Sequence, residues 1–256
     1  MSDYQPKPLY EKNIYMALLA QQCSRYKEMF KYFEDLIKQR EKEGKSKDLL
    51  PQERELLTYG FIKYIDSKRR SLHVCMAFET KEKKLYDSPI LTHITNYRRQ
   101  LETDLNNTIQ DIINILDSTL IKNSENNLTK IYYLKLKGDF NRFITEYEKG
   151  NERERALNNG LKSYQDAMNL SKNMNIMNKL LLGLSLNFSI FEYEVIGERK
   201  NAISIADECI KKVDKELPEF KMDKNDENYN IIMDIINKMR KNLKKWKTEE
   251  DEQNKI

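Results

Sequence analysis

The sequence predicts an all-α protein of nine helices, and three observations predict it. Glycine and proline are scarce, at 7 and 5 of 256 residues, which leaves few sites for the tight turns of a many-stranded sheet. Leu, Ile, Lys, Glu, Asn and Met are common, and a 39% hydrophobic content can fill a core although 34% of the chain is charged. Apolar residues recur at threes and fours almost throughout, which is the period of one helix face.

The first two helices are expected at 9–22 and 25–42, followed by the polar linker Gly44-Lys45-Ser46-Lys47-Asp48. Pro51 opens the third, 51–85, because proline at the first helical position has no amide to leave unpaired. The fourth, 89–120, carries the clearest stripe: Ile94, Tyr97, Leu101, Leu105, Ile109, Ile112, Leu116 and Leu120. Ser88 is its expected cap and Pro89 its first residue. The fifth and sixth, 128–148 and 152–172, meet at Gly150, which suits a left-handed residue, with Asn151 and Glu154 in capping-box spacing. The seventh, 176–196, ends at Gly197, Pro218 stops the eighth, 199–216, and the ninth spans 228–248 after a polar loop at 221–228. No long Pro, Gly or Ser tract divides the chain, so residues 1–248 read as one domain and the acidic stretch 249–256 as a flexible tail.

Charge and special residues exclude several functions. The 45 basic and 41 acidic residues are interleaved, so a net charge of +4 gives no case for nucleic acid. Cys23, Cys75 and Cys209 are odd in number and outside any CxxC, which suggests neither disulfides nor zinc and fits a reducing compartment. There is no signal-like N-terminus and no run of about 18 apolar residues, so a membrane partner is not expected. The expected location is the cytoplasm, with the nucleus also open. Gly44-Lys45-Ser46 lacks the earlier glycine of a phosphate loop, where Gln39 stands. His73 and His93 fall on different helices with no nucleophile pattern, so no enzyme, cofactor or metal is expected. The last helix is basic, with Lys238, Arg240, Lys241, Lys244, Lys245 and Lys247, yet its Ile232, Ile235, Ile236, Met239 and Leu243 give it a side to dock.

Two stretches point to a binding groove. In KLKGDFNRF (residues 135–143) the charged stripe Lys135, Asp139, Arg142 runs on to Glu146 beside the apolar stripe Tyr133, Leu136, Phe140, Ile144. In LSLNFSIFEYE (184–194), Asn187, Ile190 and Glu194 form a similar stripe, with Leu186 and Tyr193 beside it. Mixed apolar, amide and charged helix faces suit an extended peptide.

These stretches resemble the 14-3-3 family, whose fifth and seventh helices carry YLKxKGDxxRY and LALNFSVFYYE. The likeness extends to LLAQQCSRYKEM (18–29), similar to KLAEQAERYDEM, to LLPQERELL (49–57), similar to LTxEERNLL, and to NLKKW (242–246), similar to NLTLW. Together the segments span nearly the whole chain. The resemblance implies nine antiparallel helices in a cup-shaped bundle with a concave groove. It implies a dimeric adaptor that binds phosphoserine or phosphothreonine segments of partner proteins and does no chemistry.

Carried over by resemblance, the phosphate ligands are Arg69 and Arg142, whose planar forks match phosphate oxygens. The family's clamp lysine falls at Ile62 and its clamp tyrosine at Phe143, so two of four ligands are altered; Lys63 is adjacent to the first but about 100° around the helix. Asp66 stands where the family has glycine and is spaced to pair with Arg69 and Arg70. The groove residues carry over as Lys135, Asp139, Leu186, Asn187, Ile190, Glu194, Ile235, Asn242 and Trp246. An ungapped alignment of the last helix would set Asp234 and Lys238 on the wall in place of Ile235. The dimer face carries over as Leu19, Cys23, Arg25, Ser71, Cys75, Phe78, Tyr97 and Asp104, in a homodimer or a heterodimer with a related subunit. Two further readings remain: a phosphate-independent helical scaffold for acidic or unmodified peptides, and a tetratricopeptide array, for which no 34-residue self-similarity is found.

Overall fold

The computed structural model describes residues 9–85 and 88–253, and among them there are nine α-helices and no strand. The chain forms two compact units, Met1–Ser124 and Glu125–Ile256. The first holds α1 (Leu9–Gln22), α2 (Tyr26–Lys42), α3 (Pro51–Glu82) and α4 (Leu91–Ile115), which continues in wider π-type turns over Leu116–Ile121. The second holds α5 (Asn127–Ile144), α6 (Gly150–Leu170), α7 (Lys179–Phe191) with π-type turns over Glu192–Ile196, α8 (Arg199–Glu216) and α9 (Glu227–Gln253).

In the first unit α2 buries Met29, Phe30, Phe33, Leu36 and Ile37, one helix face by spacing, against Leu57, Phe61 and Ile65 of α3. Gly60 allows the close approach, since a Cβ there would lie 2.6 Å from the sulfur of Met29. The α2–α3 connection is fixed by a buried ion pair, Arg40 to Glu53 at 2.6 Å. The same guanidinium donates to the Asp48 carbonyl, and Glu53 accepts the Leu50 amide at 2.8 Å, which caps α3. Because every partner is engaged, removing either ion would strand a buried charge.

The α4 stripe is buried unevenly. Leu105, Ile109, Ile112, Leu116 and Leu120 are in the core, whereas Tyr97 is 57% exposed and Ile94 and Leu101 are half-buried. Val74 and Phe78 of α3 are likewise exposed, as are Leu18 and Leu19 of α1. The first three of the eight residues in this apolar stripe therefore lack full cover in the single chain.

In the second unit Leu182, Leu186, Ala202, Ala206, Val213, Ile232, Ile236, Met239 and Trp246 join α7, α8 and α9 in one core. A second layer joins α5, α6 and α7 around Tyr164, whose ring stacks on Phe188 and meets Phe191 at centroid distances of 5.5 and 5.3 Å. Gly138 lets α5 lie against that ring, because a Cβ would sit 2.7 Å from it.

Three end signals resolve differently from expectation. Ser88 does not cap α4: its hydroxyl donates to the Glu82 carboxylate at 2.7 Å, and Ile90 takes the cap position. Gly150 is left-handed as expected, with φ +56°, but it turns the chain so sharply that α6 starts there, which puts Asn151 inside the first turn. Lys149 occupies the cap position with no side-chain bond, so the Asn151–Glu154 box does not form. Finally, α9 runs through Gln253, supported by a bond from the Tyr193 hydroxyl to Glu249 and the i, i+4 pair Lys245–Glu249.

Candidate functional site

In the second unit, residues that the resemblance assigns to a peptide groove converge on one carboxylate. Lys135 and Asp139 are four apart on α5, and the ammonium meets Oδ2 of Asp139 at 2.8 Å. Oδ1 of Asp139 accepts the Asn187 amide of α7 at 2.7 Å and the Tyr164 hydroxyl of α6 at 2.6 Å. Three helices are tied at Asp139. The amide that the resemblance assigns to peptide backbone is thereby held by its nitrogen, which leaves its carbonyl oxygen as the group to meet a peptide N–H.

Tyr164 was not among the sequence-derived site residues. Burial, then the charge of Asp139 and the bond to it, raise its phenol well above the ordinary tyrosine value, while Arg142 acts in the opposite direction. The phenol therefore stays neutral and donates to Asp139 while facing Arg142. Its sequence signal is indirect: a glycine in the middle of α5, at 138, marks a place where a large ring packs close.

Arg142 lies one turn beyond Asp139. Its guanidinium carbon is 5.2 Å from the Phe143 ring centroid, and Glu146 is at the outer limit of an ion pair, 4.0 Å. The Nε is buried without a hydrogen-bond partner among the described residues. In the first unit, Arg69 meets Asp66 at 3.4 Å. Ile62 is 39% exposed, an apolar side chain at the surface where the resemblance places an ammonium. Lys63 is drawn elsewhere, its ammonium 5.3 Å from the centroid of the Tyr59 ring one turn back.

The residues that the resemblance assigns to the groove wall divide by burial. Leu186 and Trp246 are packed in the α7–α8–α9 core, while Ile190 and Ile235 lean on that core and stay part-exposed. Asp234 and Lys238, the alternative pair for that position, form an exposed ion pair at 2.7 Å. Asn242 is half-buried, and Glu194 is exposed on the π-type turns. Trp246 stacks on Tyr193 at 4.5 Å, and the Arg199 guanidinium also lies over the Tyr193 ring, 5.5 Å from its centroid. Glu192, where the family segment has tyrosine, is buried; burial and then Glu198 push its carboxyl above the usual range.

On the first unit Ser67, Arg70, Ser71, Val74, Phe78, His93 and Tyr97 line an open apolar cavity of about 700 Å³ with buried Cys75 at its base. Leu19 and Cys23 are exposed on and just after α1. Arg25 is paired with Glu28, Asp104 with Lys68, and the Ser71 hydroxyl donates to the Ser67 carbonyl at 3.1 Å. Among the described residues no helix is long and apolar enough to cross a membrane.

A family model described as 14-3-3 protein matches residues 16–247. The chain is 32% identical over 237 residues to a 14-3-3-like protein of Oenothera elata subsp. hookeri, covering 92% of this chain and 88% of that one. It is 31% identical over 244 residues to 14-3-3-like protein A of Hordeum vulgare, covering 95% and 90%. For 14-3-3-like protein B of Nicotiana tabacum the values are 32% over 237 residues, 92% and 90%.

Proposed function

Because this chain belongs to the 14-3-3 family, we propose that it is a dimeric, non-enzymatic adaptor binding phosphoserine or phosphothreonine peptides of partner proteins through an altered phosphate pocket. The observation that supports this most is the Asp139 junction. Lys135, Asn187 and Tyr164 are held on one carboxylate before any peptide arrives, so little side-chain entropy is left to lose on binding. Arg69 and Arg142 are the cations this reading assigns to phosphate. Leu186, Ile190, Glu194, Ile235, Asn242 and Trp246 are its peptide-facing set. The location that fits such an adaptor is the cytoplasm, with access to the nucleus.

The alteration has a cost. Loss of one charge-assisted contact at Ile62 weakens phosphate binding by roughly 1.5–3 kcal/mol, and loss of a hydroxyl at Phe143 by about 1 more. Asp66 adds a competitor for Arg69. Dimerisation is assigned to the uncovered apolar face of α1, α3 and α4: Leu19 and Cys23 from one copy against Ser71, Cys75, Phe78 and Tyr97 of another.

A second reading has its own observation. An exposed Ile62 and an Arg69 already facing a carboxylate suit a scaffold that takes acidic or unmodified peptides. Titration of a phosphoserine peptide and its unmodified twin against the full chain decides between them. Tighter binding of the phosphopeptide, strengthened by Ile62→Lys and Phe143→Tyr, is the expected result. Equal affinity for the twins would leave the scaffold reading in its place.

A further inference from the structure

We infer that Phe143 and Tyr164 are positioning residues for Arg142: the Phe143 ring seats the guanidinium and the Tyr164 phenol steadies it, so the arginine meets an anion already oriented. The inference rests on the phosphate-reading function proposed above and adds to it two residues that act through a third.

A guanidinium can be held by its face or by its edge. Held by an ion pair, it gives up the in-plane N–H groups that a phosphate needs. Held against an aromatic face, it keeps them. Arg142 is held in the second way, 5.2 Å from the Phe143 centroid, while Glu146 stands at 4.0 Å and competes weakly. Its Nε is buried and has no hydrogen-bond partner among the described residues, so a donor remains to be satisfied.

Tyr164 fixes the other side. Its proton is committed to Asp139 at 2.6 Å, so the phenol oxygen turns its lone-pair side to Arg142. Asp139 is in turn fixed by Lys135 and Asn187. The chain Asn187–Asp139–Tyr164–Arg142 connects the Asn187 side-chain amide to the proposed phosphate cation through three helices. A phenylalanine at 143 lacks a hydroxyl to offer the anion, but it retains the ring face that orients the arginine.

The test uses the full chain and fluorescence anisotropy with a labelled phosphoserine peptide and its unphosphorylated twin. Phe143→Leu is expected to weaken phosphopeptide binding about two- to five-fold, the scale of a part-exposed cation–π contact, with binding of the twin unchanged. Phe143→Tyr, which keeps the ring, is expected to match or exceed the parent. In an Arg142→Ala background Phe143→Leu should have no further effect, because the ring acts only through the arginine. Should the leucine variant melt early, Phe143→Met keeps the volume without a π face. The inference is overturned if the leucine variant equals the parent, or if it weakens binding equally without Arg142. If Arg142→Ala leaves the preference for phosphopeptide intact, the proposed function itself fails, an outcome distinct from a silent Phe143→Leu.

Discussion

The Tyr164 hydroxyl donates to the Asp139 carboxylate at 2.6 Å, from a ring packed between Phe188 and Phe191 and over the missing side chain of Gly138. One bond thus couples the packing of α6 to a carboxylate that also orients Lys135 and Asn187.

Tyr164→Phe keeps the ring and deletes that bond. A hydrogen bond to a charged group contributes roughly 1.5–3 kcal/mol, and urea unfolding followed by circular dichroism should show a loss of that size with an unchanged slope. Peptide affinity should fall as well, because Asn187 and Arg142 lose a common support. An unfolding midpoint equal to the parent's would mean that the bond is dispensable.

Glu192 gives a prediction in pH. Its carboxyl is raised by burial and by Glu198, so the folded state holds the proton more tightly than the unfolded chain. The stability tied to that proton is full below the unfolded value and is lost as pH rises through the folded one. Glu192→Gln should therefore raise the melting temperature at about pH 7, with the gain vanishing near pH 4. A gain of equal size at both pH values would place its origin outside ionisation.

The uncovered start of the α4 stripe predicts how the proposed dimer responds to charge and salt. Phe78 and Tyr97 are more than half exposed, and a carboxylate buried at such a centre is strongly unfavourable. Phe78→Glu should convert the proposed dimer to single subunits by sedimentation. Raising salt from about 0.1 to about 1 M should leave the parent dimeric, since Arg25 and Asp104 are already paired with Glu28 and Lys68 of their own chain. Dissociation by salt alone would show that ion pairs, and not the apolar face, hold the copies together.

Much of this was legible in the sequence. The nine helices follow from period and punctuation: Pro51 stands at the first position of α3, Gly197 is left-handed with φ +89° where the seventh helix ends, and α8 spans 199–216 as expected. The α5 stripe Lys135–Asp139 is an i, i+4 pair that spacing alone foretells. Helix ends were less legible where a side chain had two possible partners. Ser88 had Glu82 within reach, and the Asn151 box lost to a left-handed Gly150. Tyr164 was not legible because it lies 25 residues from Asp139 in sequence and its role depends on how α6 packs on α5.

What the sequence determined by itself is local: which segments are helical, which face of each is apolar, and which short motifs resemble the family's, because all of these depend on neighbours within a turn or two. Whether an apolar face is covered is a long-range property. The stripe from Ile94 to Leu120 is uniform in sequence, yet only its part from Leu105 on meets a core. The same holds for charge: the spacing of Asp66 and Arg69 foretells their pairing, because both lie on one helix, whereas the approach of Arg142 to the Phe143 ring depends on side-chain placement in the fold.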